Sequence, residues 1–161
     1  MRIFNGIEDF ASHVGEEIGV TEWRTISQED INAFADVTRD HQWIHVDTER
    51  AAAGPFGTTL VHGYLTLSLV SGFMFDTYRV DGLSMGVNYG SNKVRYPAPV
   101  LVGSRVRGRI KLVALDRQEN WAQSTVRVTV EQEFNGEAKK PGCVAEVVSR
   151  LYEAPGATPS A

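Results

Sequence analysis

Three of the four histidines in this 161-residue chain fall in one stretch, VTRDHQWIHVDTERAAAGPFGTTLVHG, from Val37 to Gly63. Asp40 and Asp47 lie in it too. An imidazole titrates near ~6.5 unperturbed, so a histidine beside a carboxylate is equipped to move protons to and from a reacting group. Asp40 and His45 are five residues apart and do not share a helical face, but a turn between them lets both side chains converge on one small molecule, such as a water. A second chemistry is conceivable. His41 and His45 have the i,i+4 spacing of zinc ligands on a helix. The intervening Gln42-Trp43-Ile44 lacks the glutamate of His-Glu-x-x-His, and the turn-like Thr38-Arg39-Asp40 precedes it, so no metal is expected. Taken singly, Asp40 could simply end a helix and His45 could be a half-buried histidine satisfied by backbone. His41 reads as structural or solvent-exposed and Asp47 as solvent-facing or part of a turn. His62 reads as a cap for the helix that follows, and Trp43 as a pocket wall or loop packing.

These residues need elements to position them. Ile7–Val14 is expected to form a short helix ending near Gly15, and Val20–Ile26 a short strand. Ser27 with Asp30 three residues on is close to a capping box. Ile31, Phe34, Ala35 and Thr38 recur at helical spacing, predicting a helix over 28–37. Thr48 is placed as the cap of a second short helix, 49–53, stopped by Gly54-Pro55. From Tyr64 to Phe75 the large apolar residues fall on every side, the pattern of a buried helix; Ser71 and Gly72 make it locally thin, as packing or as pocket. The second half changes period. In Arg105–Leu115 Val106, Gly108, Ile110 and Leu112 alternate with Arg105, Arg107, Arg109 and Lys111, a strand with its basic face toward solvent. Ser124–Phe134, Cys143–Glu153 and Leu83–Tyr96 complete four strands. Asn135-Gly136 marks a turn, and the polar run to Gly142 suggests a connection longer than two residues. One helix followed by four amphipathic strands implies an α+β fold with an antiparallel sheet wrapped around that helix.

The rest of the chain excludes several classes. A net charge of −4 gives neither a nucleic-acid footprint nor a polybasic membrane patch. The single cysteine, Cys143, rules out an internal disulfide and reads as a small core residue. The apolar segment Tyr64–Phe75 is too short to span a bilayer, and the N-terminus lacks the continuous apolar core of a signal peptide. The expectation is a cytoplasmic protein with one domain over 1–153 and a disordered tail over 154–161.

FADVTRDHQWIHVDTERA, from Phe34, resembles the hydratase motif of the MaoC-like dehydratases and (R)-specific enoyl-CoA hydratases: an aromatic residue, a short spacer, Gly-Asp-x-Asn-Pro-x-His, then Ala or Ser. Phe34, Asp40, His45 and Ala51 match. Arg39 stands for the glycine and Gln42-Trp43 for Asn-Pro, as in the nodulation-type and mycobacterial members. GPFGTTLVHGYLTLSLVSG resembles the start of the family's central helix, and NYGSNKVRYPAPVLVGSRV its next strand and Pro-Val-x-x-Gly break. The resemblance runs in order from about Ser27 to Leu151. It implies the hot-dog fold and cofactor-free, reversible hydration of a trans-2-enoyl-CoA to an (R)-3-hydroxyacyl-CoA. It further implies that Asp40 and His45 act on the same water, that the amide of Gly63 receives charge on the thioester oxygen, and that Ser71 lines the site. Two chains would pair by their sheets as a homodimer. Lys93 and Arg95 are candidates for CoA phosphates, or form a solvated strand face.

Two rivals are weighed against this. A hot-dog acyl-CoA thioesterase carries a carboxylate on the central helix, and Tyr64–Phe75 has none. A non-catalytic acyl-CoA-binding hot dog is opposed by the intact Asp40 and His45.

Overall fold

The computed structural model describes residues 1–155. Most of the tail expected to be disordered, 156–161, lies outside the described residues. The elements run β1 (Arg2–Phe4), α1 (Gly6–Ser12), β2 (Glu17–Val20), β3 (Arg24–Thr25), α2 (Gln28–Thr38), α3 (Trp43–Val46), α4 (Thr48–Ala52), α5 (Gly63–Thr77), β4 (Tyr78–Val80), β5 (Leu83–Arg95), β6 (Arg105–Arg117), β7 (Trp121–Phe134) and β8 (Glu137–Glu153). The main sheet is antiparallel in the order β2-β6-β7-β8-β5, with β3 also pairing β6. β1 and β4 form a separate parallel pair. This is the expected hot-dog arrangement, a helix with a sheet curled round it.

Its core follows from the period-two faces. Val106, Ile110 and Leu112 of β6 and Val126, Val128 and Val130 of β7 are fully buried, together with Leu65, Val70 and Phe73 of α5. Gly108 interrupts the β6 series because α5 comes so close there: a Cβ at Gly108 would stand 2.6 Å from that of Phe73. Cys143 is buried in the same core, and burial pushes its thiol up to about 11.

Four expectations are corrected. The strand expected over 20–26 is two short strands, β2 and β3. Helix α5 is not buried on every side: Tyr64 is 72% and Phe75 77% exposed, on a face the sheet leaves open. The turn at Asn135-Gly136 is two residues long. Phe134 pairs with Glu137 across it, both turn residues have positive φ, and that backbone matches the twist of the flanking strands. The polar run beyond is strand, and a register irregularity between Val130 and Gln132 accommodates Pro141, which has no N–H to give the ladder. Finally, the basic face of β6 does not simply meet solvent. Arg105 pairs with Glu133 at 2.6 Å, Arg107 with Glu131 at 2.7 Å, and Arg109 with both Glu131 and Glu17. Trp23 lies under the guanidinium groups of Arg105 and Arg107.

Candidate active site

The capping box at Ser27 forms as expected: its hydroxyl accepts from the Asp30 N–H while the Asp30 carboxylate accepts from the Ser27 N–H. Helix α2 ends at Arg39, a left-handed residue with φ of 62°. That turn throws Asp40 out of the helix direction and leaves it exposed. Three residues on begins α3, a single turn absent from the expected elements, which carries His45 inward to 7% exposure. α4 follows with Asp47, not Thr48, as its cap: the Asp47 carboxylate accepts from the Arg50 N–H at 3.0 Å.

The segment Thr59–Val61 holds this unit against the sheet end. Leu60 donates to the Ile44 carbonyl, Val61 to the Val100 carbonyl, and Val102 to the Thr59 carbonyl. The Leu60 carbonyl accepts from His45 Nδ1 at 2.7 Å. A carbonyl can only accept, so Nδ1 carries the proton and Nε2 keeps its lone pair. Gln28 braces the same corner: its amide donates to the His45 carbonyl at 2.8 Å and its oxygen accepts from Thr59 at 2.5 Å.

Electrostatics favour a neutral His45. Burial lowers its pKa below the ordinary histidine value. The bond to Leu60 acts the other way, His62 lowers it further, and the Asp40 carboxylate raises it.

His62 is the residue most misjudged from sequence. It occupies the N-cap position of α5, but its side chain caps nothing. It is 2% exposed, and its ring stacks on that of His45 with centroids 3.7 Å apart and planes 23° from parallel. Phe34, the aromatic of the motif, packs on it at 5.1 Å. Nothing in the local sequence marked His62 for this contact, and Gln28 left no signal at all.

Among the described residues Asp40, His45 and His62 are also the group whose ligand atoms lie close enough, within 4.8 Å of one another, to hold a cation. A zinc ion needs its imidazole nitrogens to converge on it at about 2.0–2.1 Å, whereas stacked rings direct their in-plane lone pairs side by side. His41 is elsewhere, exposed and paired with Asp36 at 2.9 Å. Trp43 serves the loop: Gly54 packs against its ring and Arg50 lies over it at 4.4 Å.

Gly63 begins α5 directly beside this pair. Its N–H belongs to the first helical turn, for which the helix itself supplies no acceptor, and it lies at the positive end of the helix dipole. The ring of Tyr96 covers Gly63, 3.4 Å from where a Cβ would be. Ser71 lies two turns further along, about 12 Å by helical rise. It accepts from Asn88 of β5 at 3.4 Å and no bond joins it to Asp40 or His45 within the described residues. It borders a cavity of about 370 Å³ between α5 and the β5–β8 end of the sheet, whose walls include Met74, Leu83 and Leu151. Lys93 and Arg95 are exposed on β5, the edge strand that leads to Tyr96.

An exposed carboxylate, a histidine whose burial favours the neutral ring and a helix-terminal N–H thus lie together at the start of α5. The chain is 54% identical over 151 residues to the 3-hydroxyacyl-thioester dehydratase Z of Mycobacterium tuberculosis, a match that covers 93% of this chain and 98% of that protein. It is 47% identical over 130 residues to the nodulation protein N of Rhizobium leguminosarum bv. viciae, covering 79% and 81%. Among solved structures it resembles the monoamine oxidase regulatory protein from Archaeoglobus fulgius, with a TM-score of 0.75 at 26% identity over 96% of this chain and 98% of that one. The fold of an (R)-hydratase from A. caviae is similar as well, with a TM-score of 0.64 at 24% identity over 83% and 95%. Residues 9–135 match the family described as MaoC like domain, and the chain belongs to that family.

Proposed function

We propose that the protein is a hydro-lyase that adds water reversibly across a trans-2-enoyl-CoA to give the (R)-3-hydroxyacyl-CoA. The observation that carries this is the geometry of the pair: His45 Nδ1 donates to the Leu60 carbonyl, which leaves Nε2 of the neutral ring as an acceptor, and the ligand atoms of His45 and Asp40 lie within 4.8 Å of each other. Both groups enter as acceptors and bind the two hydrogens of one water. One O–H bond breaks as the oxygen bonds to C3. The proton taken up by the pair is returned to C2, so every atom of the water ends in the product and neither residue changes its net protonation. As the C2 carbanion character develops, the Gly63 N–H and the dipole of α5 receive the charge on the thioester oxygen. The curated relative of Mycobacterium tuberculosis is named for the same conversion in the dehydrating direction, which supports the reading. A thioesterase needs a carboxylate facing the site from the central helix. The acidic residue of α5 is Asp76, exposed at its far end.

The α5–β5 cavity suits the acyl chain, with Ser71 on its wall. Lys93 and Arg95, exposed on β5, are the basic groups we assign to the CoA phosphates, and the open face of α5 with the edge strand β5 favours a homodimer. The lone buried cysteine suits a reducing cytoplasm.

The test is loss of absorbance at the enoyl thioester band on mixing the protein with crotonyl-CoA and longer homologues. Asp40→Asn and His45→Gln should each lower kcat about a hundredfold or more with the fold intact. The double variant should be little worse than either single, because groups acting on one water behave as a unit. Singles that keep most of the rate would overturn the assignment.

A further inference from the structure

We infer that His62 is a positioning residue of the reaction: one buried imidazole fixes both the backbone of Asp40 and the ring plane of His45, and so sets the vector between the carboxylate and Nε2. The inference rests on the hydration reading above.

The geometry is specific. His62 Nε2 lies 3.0 Å from the Asp40 carbonyl, which can only accept, so Nε2 carries the proton. The other ties on Asp40 are long: its N–H reaches Thr38 Oγ1 at 3.4 Å, and its carboxylate accepts from the Gln42 N–H at 3.4 Å. Asp40 follows a left-handed residue and is itself exposed, so the His62 bond is the firmest constraint on where its backbone sits. The face of the same ring sets His45. The bond to Leu60 fixes one atom of that imidazole and leaves it free to swing about the bond, whereas a flat neighbour at 3.7 Å removes the swing. Phe34 packs against the His62 ring as well, with centroids 5.1 Å apart. Packing alone does not call for an imidazole here. His62 Nδ1 is buried without a hydrogen-bond partner, an unfavourable arrangement that an apolar ring would avoid. The nitrogen that is used is the one that reaches Asp40.

A second consequence follows from contact. Two stacked imidazoles resist carrying two positive charges, so the His62 ring disfavours a charge on His45. The titratable groups that face His45 are His62 from the start of α5 and Asp40 from the end of α2. The charged residues of α4, Glu49 and Arg50, and the Asp36–His41 pair are exposed. Tyr96 on β5 packs against Gly63.

The experiment compares His62→Phe, His62→Gln and His62→Asn in the full chain. Phenylalanine keeps a ring but deletes the donor to Asp40. Glutamine can place its amide nitrogen where Nε2 lies, and asparagine is too short to do so. Misplacing a catalytic group by about 1 Å can cost about 10²-fold. His62→Phe should therefore lose on the order of 10²-fold in kcat with KM for the enoyl thioester changed less than about twofold. His62→Gln should recover about tenfold of that and exceed His62→Asn. In all three the acid limb of kcat/KM should move to higher pH, because the neighbour that disfavoured a charged His45 is gone. Folded variants with wild-type kcat and an unmoved limb would overturn the inference. So would equal kcat in the Gln and Asn variants, or a loss that tracks thermal stability alone. Nuclear magnetic resonance titration of the His45 ring in wild type and variants gives a readout independent of turnover. A wild type silent toward every enoyl thioester refutes the hydration reading, whereas a His45 titration unchanged by all three substitutions refutes the role of His62.

Discussion

The proton that His45 lacks at Nε2 makes acid, not base, the condition that disables it. Its folded pKa is lowered, chiefly by burial, while in the unfolded chain it returns to about 6.5. Below that value the unfolded state binds the extra proton more readily, so the stability tied to neutral His45 is present above about pH 6.5 and is lost as pH falls through the folded pKa. Thermal melts of wild type and His45→Gln across this range should converge toward acid, the wild type losing more; parallel curves would show that burial does not depress this histidine. Gly63 offers a sharper test. Its φ is not positive and His62 before it has φ of −56° and ψ of 137°, the region that a residue preceding proline prefers. Gly63→Pro should fold yet lose ~2.7–4 kcal/mol of transition-state stabilisation, about 10²–10³ in kcat. Gly63→Ala, whose new methyl meets Tyr96 at ordinary contact distance, should keep most of the rate. A folded proline variant with near-normal turnover would place the charge elsewhere. The convergence of Asp40 and His45 was legible because a turn was expected between them, and Gly63 at the start of α5 from the resemblance of the helix it opens. His62 and Gln28 were not, because their work is done across 22 and 17 residues of chain, and no local pattern encodes such a contact.

The elements explain the departures from the hydratase motif. Arg39 stands where the motif has glycine, and the structure needs a left-handed residue there; a side chain in that conformation costs roughly 1–2 kcal/mol. Gln42 and Trp43 stand for Asn-Pro at the N-cap and first position of α3, where asparagine caps well and proline is preorganised. Gln42 makes no side-chain cap. The substitutions therefore weaken helix ends and leave the proton-handling groups untouched. Arg39→Gly should raise stability by about 1 kcal/mol, read as a higher denaturant midpoint with an unchanged slope; a lower midpoint would mean that the arginine makes a compensating contact. Helix α2 and the four long strands β5–β8 were legible because their periodicity is long and regular. The hairpin tip was not: Glu137–Lys140 are exposed, so neither face of that segment carries the apolar alternation that marks a strand. The single turn of α3 is too short to show a period at all.

At the scale of the molecule, what the sheet leaves uncovered decides assembly. The exposed large apolar residues include Tyr64 and Phe75 on α5 and Met85, Val87 and Tyr89 on β5. β5 is an edge strand of 13 residues, and a long apolar edge invites pairing. Sedimentation at assay concentration should show a dimer, and Val87→Lys, which charges that edge, should shift the distribution toward monomer. A fully active monomer would contradict edge pairing. The sequence correctly placed a helix inside a sheet, but all-round apolarity was read as burial by one chain, when one face stays open. The same topology also sets a problem of timing. Helix α5 is complete at Thr77, whereas β8, which pairs with β5 and β7 to close the sheet, ends only at Glu153. At roughly 5–20 residues per second of synthesis, a nascent chain carries an apolar helix with no sheet to receive it for on the order of several seconds. During that interval the apolar face that the finished sheet covers is open, the condition under which folding intermediates aggregate.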